Sequence, residues 1–343
     1  MGQPFVEGAG PESSRAILHN LRRSLIAWPQ WDSIANDVAY WLSQAQGPIS
    51  RAAVGANSLN ADDTIRNFRA LGLGSFGRMF DDAAVDEIVR YLQRQTGYSG
   101  HHVSSSDGVP RSYEELARGH RYCAYTPYTV MAAPHLMALA NRHEILDFVE
   151  RSLGCVPTLY SVNAWWSFPA PGEPWPPYSQ QFHRDNDDFR FFTLFAYLTD
   201  VNRPEDGATQ LLPMSHTIAG IEKLVSDART DGRLAPAIAD PVSMLSGRQP
   251  SPLDIVDKVF PEQIVSMLGP RGTCFLADTI ALHRGLKPTT SSRLIFWARY
   301  GLGPNSNTSD TDMPSGRIPR TMLGSAIEDT PRSRYINRIL VDF

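Results

Sequence analysis

Beyond residue 155 the chain is written as short runs of aromatic and β-branched residues, with no helical stretch interleaved in the strand–helix–strand manner. The runs cover 156–168 (VPTLYSVNAWWSF), 189–200 (FRFFTLFAYLTD), 208–213, 272–277 and 293–300, with Pro, Gly and Asp between them. Strands in that arrangement do not build a doubly wound parallel sheet, so the pattern predicts a mainly β sandwich or barrel with flanking helices.

The first part of the chain has helical periodicity instead. Residues 12–28 place Ile17, Leu18, Leu21, Leu25 and Trp28 on one face, and Pro29 ends the run. Asp62 opens a second stretch through Ile65, Phe68 and Leu71, closed by Gly72. A third starts at Asp81 and Asp82, with Val85, Ile88, Val89 and Leu92 on one side. Pro134 is expected to start a fourth, through Leu136, Leu139, Leu146, Val149 and Leu153 to Gly154. Between the third and fourth lies a loop rich in Gly, Ser and His, from Gly97 to Pro110. The chain then divides into a helical N-terminal extension, 1–72, and a strand-rich domain, 73–343. The domain carries an insertion at about 217–268 with a helical patch from Ile218 to Ala228. An insertion that long in a compact β domain is expected to be a lid or a mobile loop.

Composition narrows the function. Hydrophobic residues make up 42% and charged residues 20%, enough to bury a core. A net charge of −4 argues against nucleic acid as a partner. No apolar run approaches the roughly 20 residues that cross a bilayer. The start, MGQPFVEGAGPESS, lacks the layout of a secretory signal, and Val6 stands where myristoylation wants Ser or Thr. The expectation is a cytoplasmic protein without nucleic-acid or membrane partners. Cys123, Cys155 and Cys274 then read as reduced thiols.

Several motifs fail on context. Gly72-Leu-Gly74-Ser-Phe-Gly77 fits the dinucleotide string, but a helix precedes it and no acid stands about 20 residues on, so it reads as a helix stop and a short strand. His143-Glu144 lacks the second His of a zinc protease, because position 147 is Asp. His101-His102 reads as a solvated turn.

One constellation carries chemistry. His183-Arg184-Asp185 puts an imidazole and a carboxylate two residues apart, on the same side of an extended chain. His283, after the apolar run Gly272 to Ala277, would complete a two-His, one-carboxylate set around Fe(II), which leaves positions open for a cosubstrate and O2. Ten residues later Arg293 opens another apolar strand. A guanidinium buried there needs a carboxylate. A keto-diacid such as 2-oxoglutarate offers one at its far end.

The blocks Gln181 to Phe189, FFTLFAYLTDV, Asp206-Gly207, Leu212-Pro-Met-Ser-His216 and Gly272 to Arg293 resemble the phytanoyl-CoA dioxygenase family. The resemblance covers about residues 70–300. It implies a double-stranded β-helix, a cupin-like jelly roll, and an Fe(II)- and 2-oxoglutarate-dependent dioxygenase. Carried onto this chain, it implies iron on His183, Asp185 and His283, and Arg293 on the distal carboxylate of 2-oxoglutarate. It also suggests Asn163 as a further contact to 2-oxoglutarate, with Thr193 and Tyr197 as alternates. Relatives that halogenate put a small residue where this chain has Asp185, so hydroxylation or a related oxidation of an unactivated C–H is implied. His216 reads as structural, in a turn where Met214 replaces the family's Gly.

Trp165 or Trp166 could wall a substrate pocket, core packing being the other reading. Arg299 shares strand parity with Arg293 and would want an anionic substrate group or an internal Asp. The expected partner is a small-molecule substrate, a specialised-metabolite or sugar-type intermediate, with fatty acyl-CoA as an alternative. Rival readings are a non-catalytic cupin-like protein that binds a metal or small molecule, and an iron enzyme that uses O2 without 2-oxoglutarate.

Overall fold

In the computed structural model, residues 31–49, 62–169, 180–185, 187–235, 241–246, 255–303 and 317–343 are described. The helix expected over 12–28 lies outside them. The architecture is a mixture of helix and antiparallel sheet. A six-stranded antiparallel sheet runs in the order β1 (Leu73–Arg78), β7 (Thr273–Ala277), β4 (Phe191–Tyr197), β9 (Arg293–Gly301), β3 (Thr158–Ser167) and β2 (Tyr122–Ala124). A smaller antiparallel sheet joins β6 (Val265–Met267), β5 (Thr209–Leu211) and β8 (His283–Gly285).

The period of two along each strand decides what the large sheet buries on either side. From one face Leu194, Ala196, Leu276, Phe296, Ala298, Val162 and Ala164 enter the main hydrophobic cluster. There they meet Val85, Ile88 and Leu92 of the helix Asp82–Gln93, and Ile145, Phe148 and Val149 of the helix His143–Leu153. From the other face Phe195, Tyr197, Phe275, Ile295 and Trp297 pack toward the small sheet, with Leu211 and Met267. The layers are therefore helices, large sheet and small sheet. Both faces of β4 and β9 are covered, which is why these two strands read as almost continuous apolar runs.

Phe68 and Ile65, assigned to the N-terminal extension, belong to the main cluster, with the Phe68 ring edge-on to Phe148 (5.3 Å) and Phe192 (4.9 Å). Their helix, Asp62–Leu71, stops at Gly72, whose φ of +75° suits glycine, and β1 follows. A helix not anticipated, Trp31–Gln46, buries Trp31, Ala35 and Ala39. Two alanines on the buried face give little hydrophobic contrast to read. The single helix expected from Pro134 to Leu153 is two, Leu136–Ala140 and His143–Leu153. The break falls at Asn141, whose Nδ2 turns back to the Met137 carbonyl (3.0 Å) and whose Oδ1 accepts from Asn337 (2.7 Å).

Described parts of the insertion pack against the domain. Its helix Ile218–Thr230 buries Ile221, Leu224 and Val225 in a cluster with Phe182 and Leu282. Its last residues form β6, which pairs with β5 as part of the small sheet. No described helix is long and apolar enough to cross a membrane.

The three cysteines are free and buried. Burial pushes the thiols of Cys123, Cys155 and Cys274 up to about 11, 12 and 12. We expect no reaction with an aromatic disulfide reagent at pH 8 in the folded protein and three equivalents in denaturant; a thiol titration of both states checks this.

Candidate metal centre

His183 and His283 face each other across two short segments. The His183 N–H donates to the His283 carbonyl (2.9 Å), and the His283 N–H donates to the His183 carbonyl (3.0 Å). That reciprocal pair sets the two side chains directly opposite, with ring centroids 4.4 Å apart. Each Nδ1 lies against a carbonyl two residues back, Gln181 O at 2.8 Å and Ala281 O at 2.9 Å. A carbonyl only accepts, so Nδ1 carries the proton and each Nε2 is the unprotonated nitrogen that can ligate.

Asp185 completes the group. Its Oδ1 is 4.0 Å from His183 Nε2 and its Oδ2 3.6 Å from His283 Nε2. The three residues offer ligand atoms that all lie within 4.8 Å of one another. Donors bound at about 2.1 Å to one divalent ion sit roughly 3–4 Å apart, so the spacing fits a single ion. The electrostatics favour it as well. Burial raises the Asp185 carboxyl, but Arg299, His283 and His183 outweigh that and hold it well below the usual carboxylate range. Burial, then the neighbouring His183, pushes His283 down to about 4, so its imidazole is neutral and able to ligate.

These residues open into a cavity of about 360 Å³, of a size for a small molecule. Strand β9 runs along it and presents Arg293, Ile295, Trp297 and Arg299 in turn. Arg293 is 4% exposed. Its Nη1 donates to the Gly207 carbonyl and its Nη2 to Ser167 Oγ at 3.2 Å, while Nε has no partner among the described residues. Among the described residues no carboxylate pairs with it, and burial lowers the pKa of its guanidinium. Gly207 sits at a φ of +93°, and a β-carbon there would lie 3.3 Å from Arg293 Cδ and 3.2 Å from the Leu286 carbonyl.

The remaining expected residues separate. Trp165 lines the cavity. Trp166, on the opposite side of β3, does not; its ring packs 5.2 Å from Tyr113 and stacks on Phe168 at 6.3 Å, so its reading as a pocket wall is corrected to core. Thr193, on the side of β4 that also carries Phe195, is fully buried and bonds Thr279 Oγ1 at 3.1 Å; it is not among the residues that line the cavity. Tyr197 bonds the Met267 carbonyl (3.1 Å) and receives the Thr209 N–H (2.9 Å). Arg299 finds its acids inside the protein, Asp185 Oδ2 at 2.7 Å and Asp187. His216 bonds the Arg69 carbonyl (2.9 Å), apart from the metal group, and Met214 takes the left-handed conformation (φ +67°) that a glycine would adopt more easily.

Asn163 leads to residues that the sequence reading set aside. Its Nδ2 donates to the His101 carbonyl (3.0 Å) and to His102 Nδ1 (3.1 Å). His102 is thus held with its proton on Nε2. Both imidazoles line the cavity, and the His102 ring lies 5.9 Å from Trp297 and 6.4 Å from Trp165. The solvated-turn reading of His101-His102 is corrected: burial, then His101 and Arg299, pushes His102 down to about 3, and burial, then His183, lowers His101. No periodicity marks a loop, so the only signal was two adjacent imidazoles in a Gly- and Ser-rich stretch.

Two arginines tie the insertion to this centre, each directly after a histidine of the group. Arg184 is buried and donates to the carbonyls of Leu245, Ser215 and Ile280. Arg284 makes a two-pronged pair with Asp257 (2.9 and 2.8 Å) and covers the Phe182 ring at 4.3 Å.

Replacing Gly207 by Ala should destabilise the fold by about 1–2 kcal/mol from the left-handed backbone alone, with crowding of Arg293 in addition. Urea denaturation of the variant against the parent measures it.

No family model matches the chain, and no curated protein matches it. Among solved structures, the chain is similar to HygX from Streptomyces hygroscopicus with nickel, 2-oxoglutarate and hygromycin B bound, at 16% identity and a TM-score of 0.44 over 70% of this chain and 87% of HygX. It is similar to EctD from S. alaskensis with 2-oxoglutarate and 5-hydroxyectoine, at 15% identity and a TM-score of 0.45 over 74% of this chain and 80% of EctD. It is also similar to SnoK, a non-heme alpha ketoglutarate dependent carbocyclase from nogalamycin biosynthesis, at 16% identity and a TM-score of 0.43 over 72% of this chain and 87% of SnoK.

Proposed function

We propose that the chain is an Fe(II)- and 2-oxoglutarate-dependent dioxygenase that oxidises an unactivated C–H of a small molecule. The two facing sheets are read as a double-stranded β-helix, as the resemblance to the phytanoyl-CoA dioxygenase family implies. His183, Asp185 and His283 would hold the metal from one side, two neutral nitrogens and one anionic oxygen, leaving the cavity side open. Arg293 would take the distal carboxylate of 2-oxoglutarate. When bound, iron and 2-oxoglutarate would activate O2, the oxidant, with 2-oxoglutarate giving up two of the four electrons that O2 takes and the C–H substrate the other two.

The observation that carries the reading is Arg293. A buried guanidinium bonded to a carbonyl and a hydroxyl, with no acid among the described residues, is a strong donor site for one carboxylate. It shares the cavity of the His–Asp–His group, so the ligand it suits has an acid at one end and metal-binding oxygens at the other. A protein that only stored a metal would have no use for that cation.

The chain's own residues do the positioning. The carbonyls of Gln181 and Ala281 keep the protons of both imidazoles on Nδ1. Gly207 and Ser167 aim the Arg293 fork. His101, His102, Trp165 and Trp297 wall the substrate side, and the aromatic and neutral imidazole surfaces suit an uncharged, hydroxyl-bearing molecule of the specialised-metabolite or sugar type.

Anaerobic titration of the protein with Fe(II) and 2-oxoglutarate should give the weak visible charge-transfer band of the chelate. His183→Ala should abolish it. Arg293→Ala should keep the band but weaken 2-oxoglutarate binding by about 30-fold or more, the factor for about 2 kcal/mol from an unmatched buried charge. A parent protein with no band, or an Arg293→Ala variant with unchanged affinity, overturns the proposal.

A further inference from the structure

We infer that Arg299 is a positioning residue that makes Asp185 a one-oxygen ligand, an inference that rests on the metal reading above. A carboxylate can bind a cation through one oxygen or both. Bound through both, Asp185 would occupy a coordination position that the cosubstrate and O2 need. Arg299 Nη2 engages Asp185 Oδ2 at 2.7 Å, while Oδ1 is the oxygen that lies 4.0 Å from His183 Nε2.

The arginine is itself held on three sides. Nη1 pairs with Asp187 Oδ2, which also accepts the Tyr160 hydroxyl at 3.0 Å. The guanidinium lies over the Trp297 ring, 4.5 Å from its centroid. Its backbone sits inside the sheet, opposite Thr193 on β4 and Ser161 on β3. A cation fixed in this way is not a mobile counter-ion; it sets the rotation of the Asp185 carboxylate. The Thr279 side chain also bonds that carboxylate, and is itself paired with Thr193. The carboxylate is therefore gripped before any metal arrives, and its shape asks for a planar fork, which lysine lacks.

The test uses Co(II) as the probe, because its visible absorption responds to ligand number. Arg299→Gln should unfold cooperatively on heating, bind Co(II) about 10–100-fold more weakly, and give an absorption band of altered intensity and position. Arg299→Lys should recover part of the affinity but not the parental spectrum. Asp187→Asn, which frees the arginine on one side, should shift the spectrum in the same direction by less. An Arg299→Gln variant with parental affinity and spectrum overturns the inference while leaving the metal reading intact. If Arg299→Gln does not fold, an unchanged Asp187→Asn spectrum overturns it. A parent that binds no Co(II) overturns both.

Discussion

Two backbone hydrogen bonds between His183 and His283 join segments a hundred residues apart, and the centre depends on them. They set the imidazoles side by side at an isolated bridge, where His283 also opens β8 of the small sheet. The rings gain their orientation from carbonyls two residues earlier in each segment, so backbone geometry alone supplies position and tautomer. The backbone of Asp185 is anchored by its N–H to the Thr279 carbonyl at 2.9 Å, and its carboxylate by Arg299. A site built from backbone groups is rigid because it shares the order of the sheets around it.

Strand β9 shows how the fold divides its labour. One side of the strand is Leu294, Phe296, Ala298 and Tyr300, all in the core beneath the helices. The other is Arg293, Ile295, Trp297 and Arg299, all lining the cavity. The two guanidiniums differ only in company. Arg299 has two carboxylates, which outweigh its burial and raise its pKa. Arg293 has none among the described residues, and burial lowers its pKa. The strand thus carries a cation already matched and a cation awaiting its match.

The insertion is bound into the same centre. Arg184 and Arg284 each follow a histidine of the group and reach Leu245 and Asp257 of the insertion. Movement of the helices Pro241–Ser246 or Ile255–Val259 would pull on the segments that carry His183 and His283.

The strands β3, β4, β7 and β9 and the helices Asp62–Leu71 and Asp82–Gln93 were legible because each repeats its apolar residues with a local period. The His183–Asp185 pair and the burial of Arg293 were legible for a similar reason, since two-residue alternation is a property of neighbours. Nothing local told that Asn141 would cut a helix, that His101 and His102 would leave solvent for the cavity, that Asn163 would hold His102, or that Arg299 would find Asp185 and Asp187. Those outcomes depend on groups brought together across the sheets. Periodicity assigns a side chain to a face, whereas its partner on that face is chosen by chain segments far away in sequence, and only the tertiary structure decides which ones arrive.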